Sequence, residues 1–197
     1  MVQISSAFCF APEARASVKT APMRTKASDA LKVTAYHEAG HAVAAIAFDY
    51  LVESNILTIE PNGDALGSVA HPPPLMQGCQ TKRELRTVVD QMCIGSYEGL
   101  AAERLFDPSA PDFDGEDDEI QAWNLPRNNG IAPRGCQFVG DDVYGRYLER
   151  LKRKAEAFVE AQRPAIEALA AALLKKKTMT GAEAIQIVRP CLRWSHM

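Results

Sequence analysis

AYHEAGHAVAA, residues 35–45, carries two of the chain's four histidines, His37 and His41, with Glu38 directly after the first. Residues at i and i+4 lie on one face of an α-helix, one turn apart. The stretch from about Thr34 to Phe48 is rich in alanine, holds an isolated glycine and has no proline, so it reads as helix. Both imidazoles then aim at one spot off the helix surface, where neutral imidazole nitrogens bind zinc at roughly 2.0–2.1 Å. Glu38 is too displaced to be a third ligand, yet it can reach a water bound to the metal. The arrangement is H-E-x-x-H: two ligands and a general base on one helix. Gly40 fits this picture. A glycine inside a helix costs about 1 kcal/mol against alanine, so it has a packing reason, here the close approach of another segment between the two ligands.

The chain has 197 residues, of which 47% are hydrophobic and 24% charged. That suits one compact domain able to bury a core. The net charge of −3 supplies no basic field for nucleic acid, and no apolar run is long enough for membrane insertion. Cys9, Cys79, Cys93, Cys136 and Cys191 are odd in number and form no C-x-x-C pair, which argues against a disulfide framework and for a reducing compartment. Residues 1–30 hold four basic and two acidic residues, with abundant Ala, Ser and Thr. They are expected to form a disordered tail, with an organelle transit segment as the alternative. A cytoplasmic location goes with the first reading, an organelle matrix or stroma with the second. Residues 31–190 are expected to form a single domain and 191–197 a C-terminal tail.

Past the first helix, Ile56, Thr58 and Glu60 alternate with Leu57 and Ile59, the period-2 pattern of a strand. Pro61-Asn62-Gly63-Asp64 is turn chemistry, and Gly67 to His71 can form a second strand that Pro72 to Pro74 ends. A peptide substrate can add to such an edge, which makes Gly67, Ser68, Val69 and Ala70 candidate substrate-binding residues. A hairpin with no ligand is the plain alternative. His71 and His196 are read as surface or cleft residues outside the metal site.

Thr81 with Glu84 is a capping box opening a helix whose apolar residues recur at three and four. Its small residues, Gly95, Ser96, Gly99, Ala101 and Ala102, predict close core packing and no chemistry. A second capping box, Thr180 with Glu183, opens a short helix through Val188. From about Val143 to Lys177 the pattern is helical, and Pro164 should kink or break it. The fold class is therefore mainly α with a small β-hairpin or sheet.

A catalytic zinc needs a third protein ligand, and carboxylate serves at roughly 2.0–2.2 Å. The densest acid cluster, PDFDGEDDEIQAW (residues 111–123), opens a short helix that Pro126 is expected to end. Spacing alone leaves Asp117, Asp118 and Glu119 open as the ligand.

Several segments together resemble the zinc-peptidase domain of FtsH-type ATP-dependent metalloproteases. They are AYHEAGHAV, LTIEPNGDALGSVAHP, GLAAERLF and FVEAQRPAIEALAAALLKKKTMTGAEAIQIV, in that family's order from about Thr34 to Val188. The resemblance implies a mostly helical zinc peptidase whose third ligand is an aspartate opening a helix. DEIQAW is similar to that motif with Asp118 as the aspartate, so His37, His41 and Asp118 are the implied Zn2+ ligands and Glu38 the implied base. Glu98 and Leu100 depart from the small and basic residues usual in the helix motif. No P-loop precedes the domain in this sequence. The expected function is a zinc metalloendopeptidase cleaving peptides or unfolded polypeptides without its own ATPase. Its rival is a non-catalytic, zinc-stabilised module that partners an ATP-dependent protease. A homo-oligomer belongs to the resemblance, but a hexameric ring is not carried over.

Overall fold

Helix α1 (Ala27–Ala47) carries His37, Glu38 and His41. The computed structural model describes residues 27–51, 53–61, 67–69, 79–109, 116–131 and 142–193. Most of the tail at 1–30, together with Ala70, His71 and His196, lies outside them. After α1 come β1 (Ile56–Thr58), β2 (Ser68–Val69), α2 (Lys82–Phe106), α3 (Glu116–Asn128), α4 (Asp142–Ala161), α5 (Arg163–Lys176), β3 (Thr178–Thr180) and α6 (Gly181–Val188). A short 3-10 turn, Arg189–Cys191, follows. None of the helices described is long and apolar enough to cross a membrane.

Two core clusters flank the path from α1 to α2. In the first, Ala39, Val43 and Ile46 of α1 meet Ile166, Leu169 and Leu173 of α5, with Leu57 and Ile59 from the strand region. Burying a side chain of this size stabilises by about 1.5–3 kcal/mol. In the second, Val89, Cys93 and Tyr97 of α2 meet Tyr144, Leu148 and Leu151 of α4. The alternation read in the sequence holds, since Leu57 and Ile59 are buried while Ile56 faces solvent. Gly40 behaves as expected. A Cβ there would fall 2.6 Å from the Glu98 carbonyl oxygen and 2.8 Å from Ala102 Cβ, so only glycine lets α1 and α2 approach this closely.

Both capping boxes form, Thr81 with Glu84 and Thr180 with Glu183. Pro164 separates α4 from α5 as expected and sits in the first turn of the second helix, where its missing N–H costs nothing. Buried Gln162 fills the break: its amide donates to the Arg193 carbonyl at 2.7 Å and its oxygen accepts from Arg193 N–H at 2.9 Å.

The structure departs from the sequence reading in three places. First, α1 begins at Ala27 rather than Thr34. Second, Pro126 does not end α3, which runs on to Asn128. Proline removes the N–H that would serve the Ala122 carbonyl, and the Cys93 thiol donates to that carbonyl instead, at 3.5 Å. Third, the hairpin is part of a three-stranded antiparallel sheet of order β2-β1-β3, with Leu57 opposite Val69 on one side and Met179 on the other. Three residues of β3 are too few to carry a period, and Thr180 serves both as the end of β3 and as the cap of α6. β2 is left as an edge strand beside α1.

Candidate metal centre

The spacing of His37 and His41 brings their Nε2 atoms to 3.0 Å from each other. Asp118 Oδ2 lies 3.2 Å from each of those nitrogens. Tetrahedral ligands at roughly 2.0–2.1 Å from zinc would stand roughly 3.3 Å apart, so this triangle has the right size for the ion. Among the described residues, His37, His41 and Asp118 form the group able to hold a metal. Of the three acids left open by spacing, Asp118 is the one brought in. Asp117 is exposed, and Glu119 pairs with Lys152 at 3.0 Å. Asp118 sits in the first turn of α3, where the helix dipole favours its negative charge.

The chemistry of the donor set also fits a cation. His41 Nδ1 lies 2.8 Å from the Gly95 carbonyl oxygen, which can only accept. The proton of neutral His41 is therefore on Nδ1, and Nε2 offers its lone pair to the shared point. His37 Nδ1 lies 2.6 Å from Glu103 Oε1 and is oriented the same way. Two lone pairs and a carboxylate oxygen thus face one another, an arrangement that only a positive charge relieves. In the metal-free protein a proton takes that role. Burial disfavours the His37 imidazolium, but the hydrogen bonds of Asp118 and Glu103 outweigh it and raise the pKa to about 10. Burial likewise works against the Asp118 carboxylate, and the two histidines overcome it, holding its pKa below the ordinary range.

The small-residue stretch of α2 is not plain core packing, which corrects the sequence reading. Gly95, Gly99 and Glu103 recur every four residues and form the wall behind the histidines. Gly95 accepts from His41, and Glu103, 3% exposed, holds His37. A Cβ on Gly99 would overlap His41 Nε2 and fall 2.8 Å from His37 Cε1. The signal was present in the sequence as two glycines and an acid on one helix face. It resembled packing because the facing helix had not been identified.

Glu38 is 6% exposed and lies under the start of β2. Burial raises its pKa above the usual 4.5, while the charges of His41 and His37 pull it down. A cleft of about 390 Å³ opens beside it. His37, Glu38, His41 and Asp118 line one end, with Gly67, Ser68 and Val69 along the rim. The cleft continues between α1, α2 and α3 past Ala44, Phe48, Met92 and Leu125. Tyr50 donates to Gln91 Oε1 at 2.7 Å beside that apolar stretch. Gly67, Ser68 and Val69 thus line the rim of the cleft, and Ala70 lies outside the described residues.

The family model for peptidase family M41 matches residues 24–111, a span that contains His37, Glu38, His41, Gly67, Gly99 and Glu103 and stops short of Asp118. The chain is 29% identical to the ATP-dependent zinc metalloprotease FtsH of Cutibacterium acnes, over 82% of this chain and 26% of that protein. It is 32% identical to FtsH 3 of Sorangium cellulosum, over 81% of this chain and 29% of that protein. It is 24% identical to the YME1 homolog of Caenorhabditis elegans, over 89% of this chain and 28% of that protein. The chain therefore spans between a quarter and a third of the length of these relatives. Family match, relatives, helical fold and a donor triangle sized for zinc agree: residues 24–111 match peptidase family M41, and the chain is similar to FtsH-type zinc metalloproteases over about four-fifths of its length.

Proposed function

We propose that this domain is a zinc-dependent endopeptidase in which His37, His41 and Asp118 hold the metal and Glu38 is the general base. Its substrates are peptides and unfolded segments, cleaved without nucleotide hydrolysis. The observation that carries this reading is the convergence of His37 Nε2, His41 Nε2 and Asp118 Oδ2 within 3.2 Å at one end of an open cleft, with Glu38 beside them. When bound, zinc supplies Lewis acidity, lowering the pKa of a water toward roughly 7 and polarising a carbonyl.

The chain's own residues supply the rest. Glu38 accepts a proton as the water oxygen bonds to the scissile carbonyl carbon, and gives it to the amide nitrogen as the C–N bond breaks. Burial, by raising the Glu38 pKa, moves it toward the range in which a carboxylate both takes and returns a proton. Glu103 and Gly95 hold the two rings in the required tautomer. The strand β2, at the sheet edge among the described residues and preceded by Gly67, pairs with an extended substrate backbone. The recess between Ala44, Phe48, Met92 and Leu125 takes an apolar side chain of that substrate. The acid, the base, the rings and the edge all come from this one domain, so a segment that is already extended needs no further element to be cut.

The test is Glu38→Gln. The variant should keep zinc and lose peptide cleavage by roughly 10²–10⁴-fold. A wild-type protein that binds zinc but cleaves nothing across a broad panel of unfolded substrates would overturn the reading in favour of a non-catalytic zinc-stabilised module.

A further inference from the structure

Gly67 stands where β1, β2 and α1 meet, one residue before β2 begins. A Cβ built on it would lie 2.6 Å from Glu38 Oε1, 2.9 Å from Glu38 Cγ and 2.9 Å from the Thr58 carbonyl oxygen. Contacts this short do not persist in a packed interior, so something would have to move. The Thr58 oxygen is backbone, so the Glu38 side chain, which borders the cleft, is the group that yields. It is 6% exposed and is carried by α1 between residues that are themselves buried or against α2.

We infer that Gly67 is a positioning residue for Glu38, its bare Cα forming the wall that seats the carboxylate beside His37 and His41. This adds a duty to a residue read from sequence only as a substrate contact. A methyl group at 67 displaces the carboxylate from the point where it meets the attacking water, and an ångström of misplacement at a reacting group costs roughly 10²-fold in rate. The inference rests on the proposed role of Glu38 only where activity is the readout. The packing relationship stands without it.

Two measurements test it separately. The first is a stability cycle on the zinc-depleted protein, comparing wild type, Gly67→Ala, Glu38→Ala and the double variant in denaturant. Gly67→Ala should lower the unfolding midpoint, and that loss should shrink by at least half when residue 38 is alanine. Equal losses in both backgrounds overturn the inference, because the constraint then lies with the Thr58 carbonyl. If Gly67→Ala does not fold, the double variant decides: its recovery supports the inference and its failure overturns it. The second measurement is kinetics on the zinc-loaded protein. Gly67→Ala should retain its zinc, hold KM for an unstructured peptide within about twofold and lose kcat by about tenfold or more. A raised KM with kcat intact overturns the inference and makes Gly67 a substrate contact alone. A wild-type protein without peptidase activity would sink the proposed function while the stability cycle still judged the packing.

Discussion

Glu103 Oε1 lies 2.6 Å from His37 Nδ1, and this contact ties the last turn of α2 to the first imidazole of α1. The carboxylate is 3% exposed, so water competes little for it. It fixes the ring's rotation and tautomer and increases the electron density on Nε2. Replacing it with glutamine keeps the size and removes the charge. Glu103→Gln should weaken zinc binding roughly 10–100-fold, as read by competition with a chelator of known affinity. Unchanged affinity would show that Glu103 is a bystander.

Gly99→Ala tests the same wall by steric means. The new methyl overlaps His41 Nε2 and crowds His37 Cε1. Zinc affinity should fall to the far end of that roughly 10–100-fold range or beyond it, with helical content preserved by circular dichroism. Full affinity in a folded variant would mean that the histidines do not point at α2 as described.

The raised pKa of His37 sets a pH dependence. In the metal-free protein its value is about 10 against an ordinary 6.5. The native state therefore holds a proton that the unfolded state releases between those two values. This contribution to stability is fully present below pH 6.5 and is lost as pH climbs toward 10. Zinc must displace the same proton. Calorimetric titrations of zinc at pH 7.5 in buffers of differing ionisation enthalpy should show about one proton released per ion bound. No proton release at that pH would contradict a charged His37.

Glu98 gives a second pH effect of independent origin. It is 0% exposed, and neither carboxyl oxygen has a hydrogen-bond partner among the described residues. Burial pushes its pKa well above 4.5, so the native protein keeps it neutral. The unfolded chain releases that proton near 4.5, so stability falls as pH rises beyond it, by about 1.4 kcal/mol per unit, until the folded pKa is reached. Glu98→Leu removes this dependence. Its stability advantage over wild type, from denaturant midpoints, should widen between pH 5 and pH 8. A constant gap would show that Glu98 finds a partner.

The candidate histidine donors were legible because their signal is local and chemical. The His37–Glu38–His41 spacing needs only helix geometry, and two capping boxes marked helix starts that the structure reproduces. Asp118 was legible only as one of three acids, since spacing 77 residues away says nothing about which side chain turns inward, and likeness to a family motif made the choice. Gly95, Gly99 and Glu103 stayed hidden because small residues on a helix mean close packing until the neighbouring helix is known to carry ligands. Pro126 misled for a similar reason. A proline inside a helix is tolerated when a thiol from another helix satisfies the freed carbonyl, and no local pattern announces that thiol. β3 is too short to show any period.

The central claim is that His37, His41 and Asp118 together hold one zinc ion. Zinc analysis with X-ray absorption at the zinc edge, on wild type and Asp118→Ala, tests it most directly. The account predicts one zinc per chain, with two imidazole nitrogens and a carboxylate oxygen at roughly 2.0–2.2 Å, and loss of that oxygen signal and of affinity in the variant. An identical edge spectrum and affinity without the Asp118 carboxylate would contradict it.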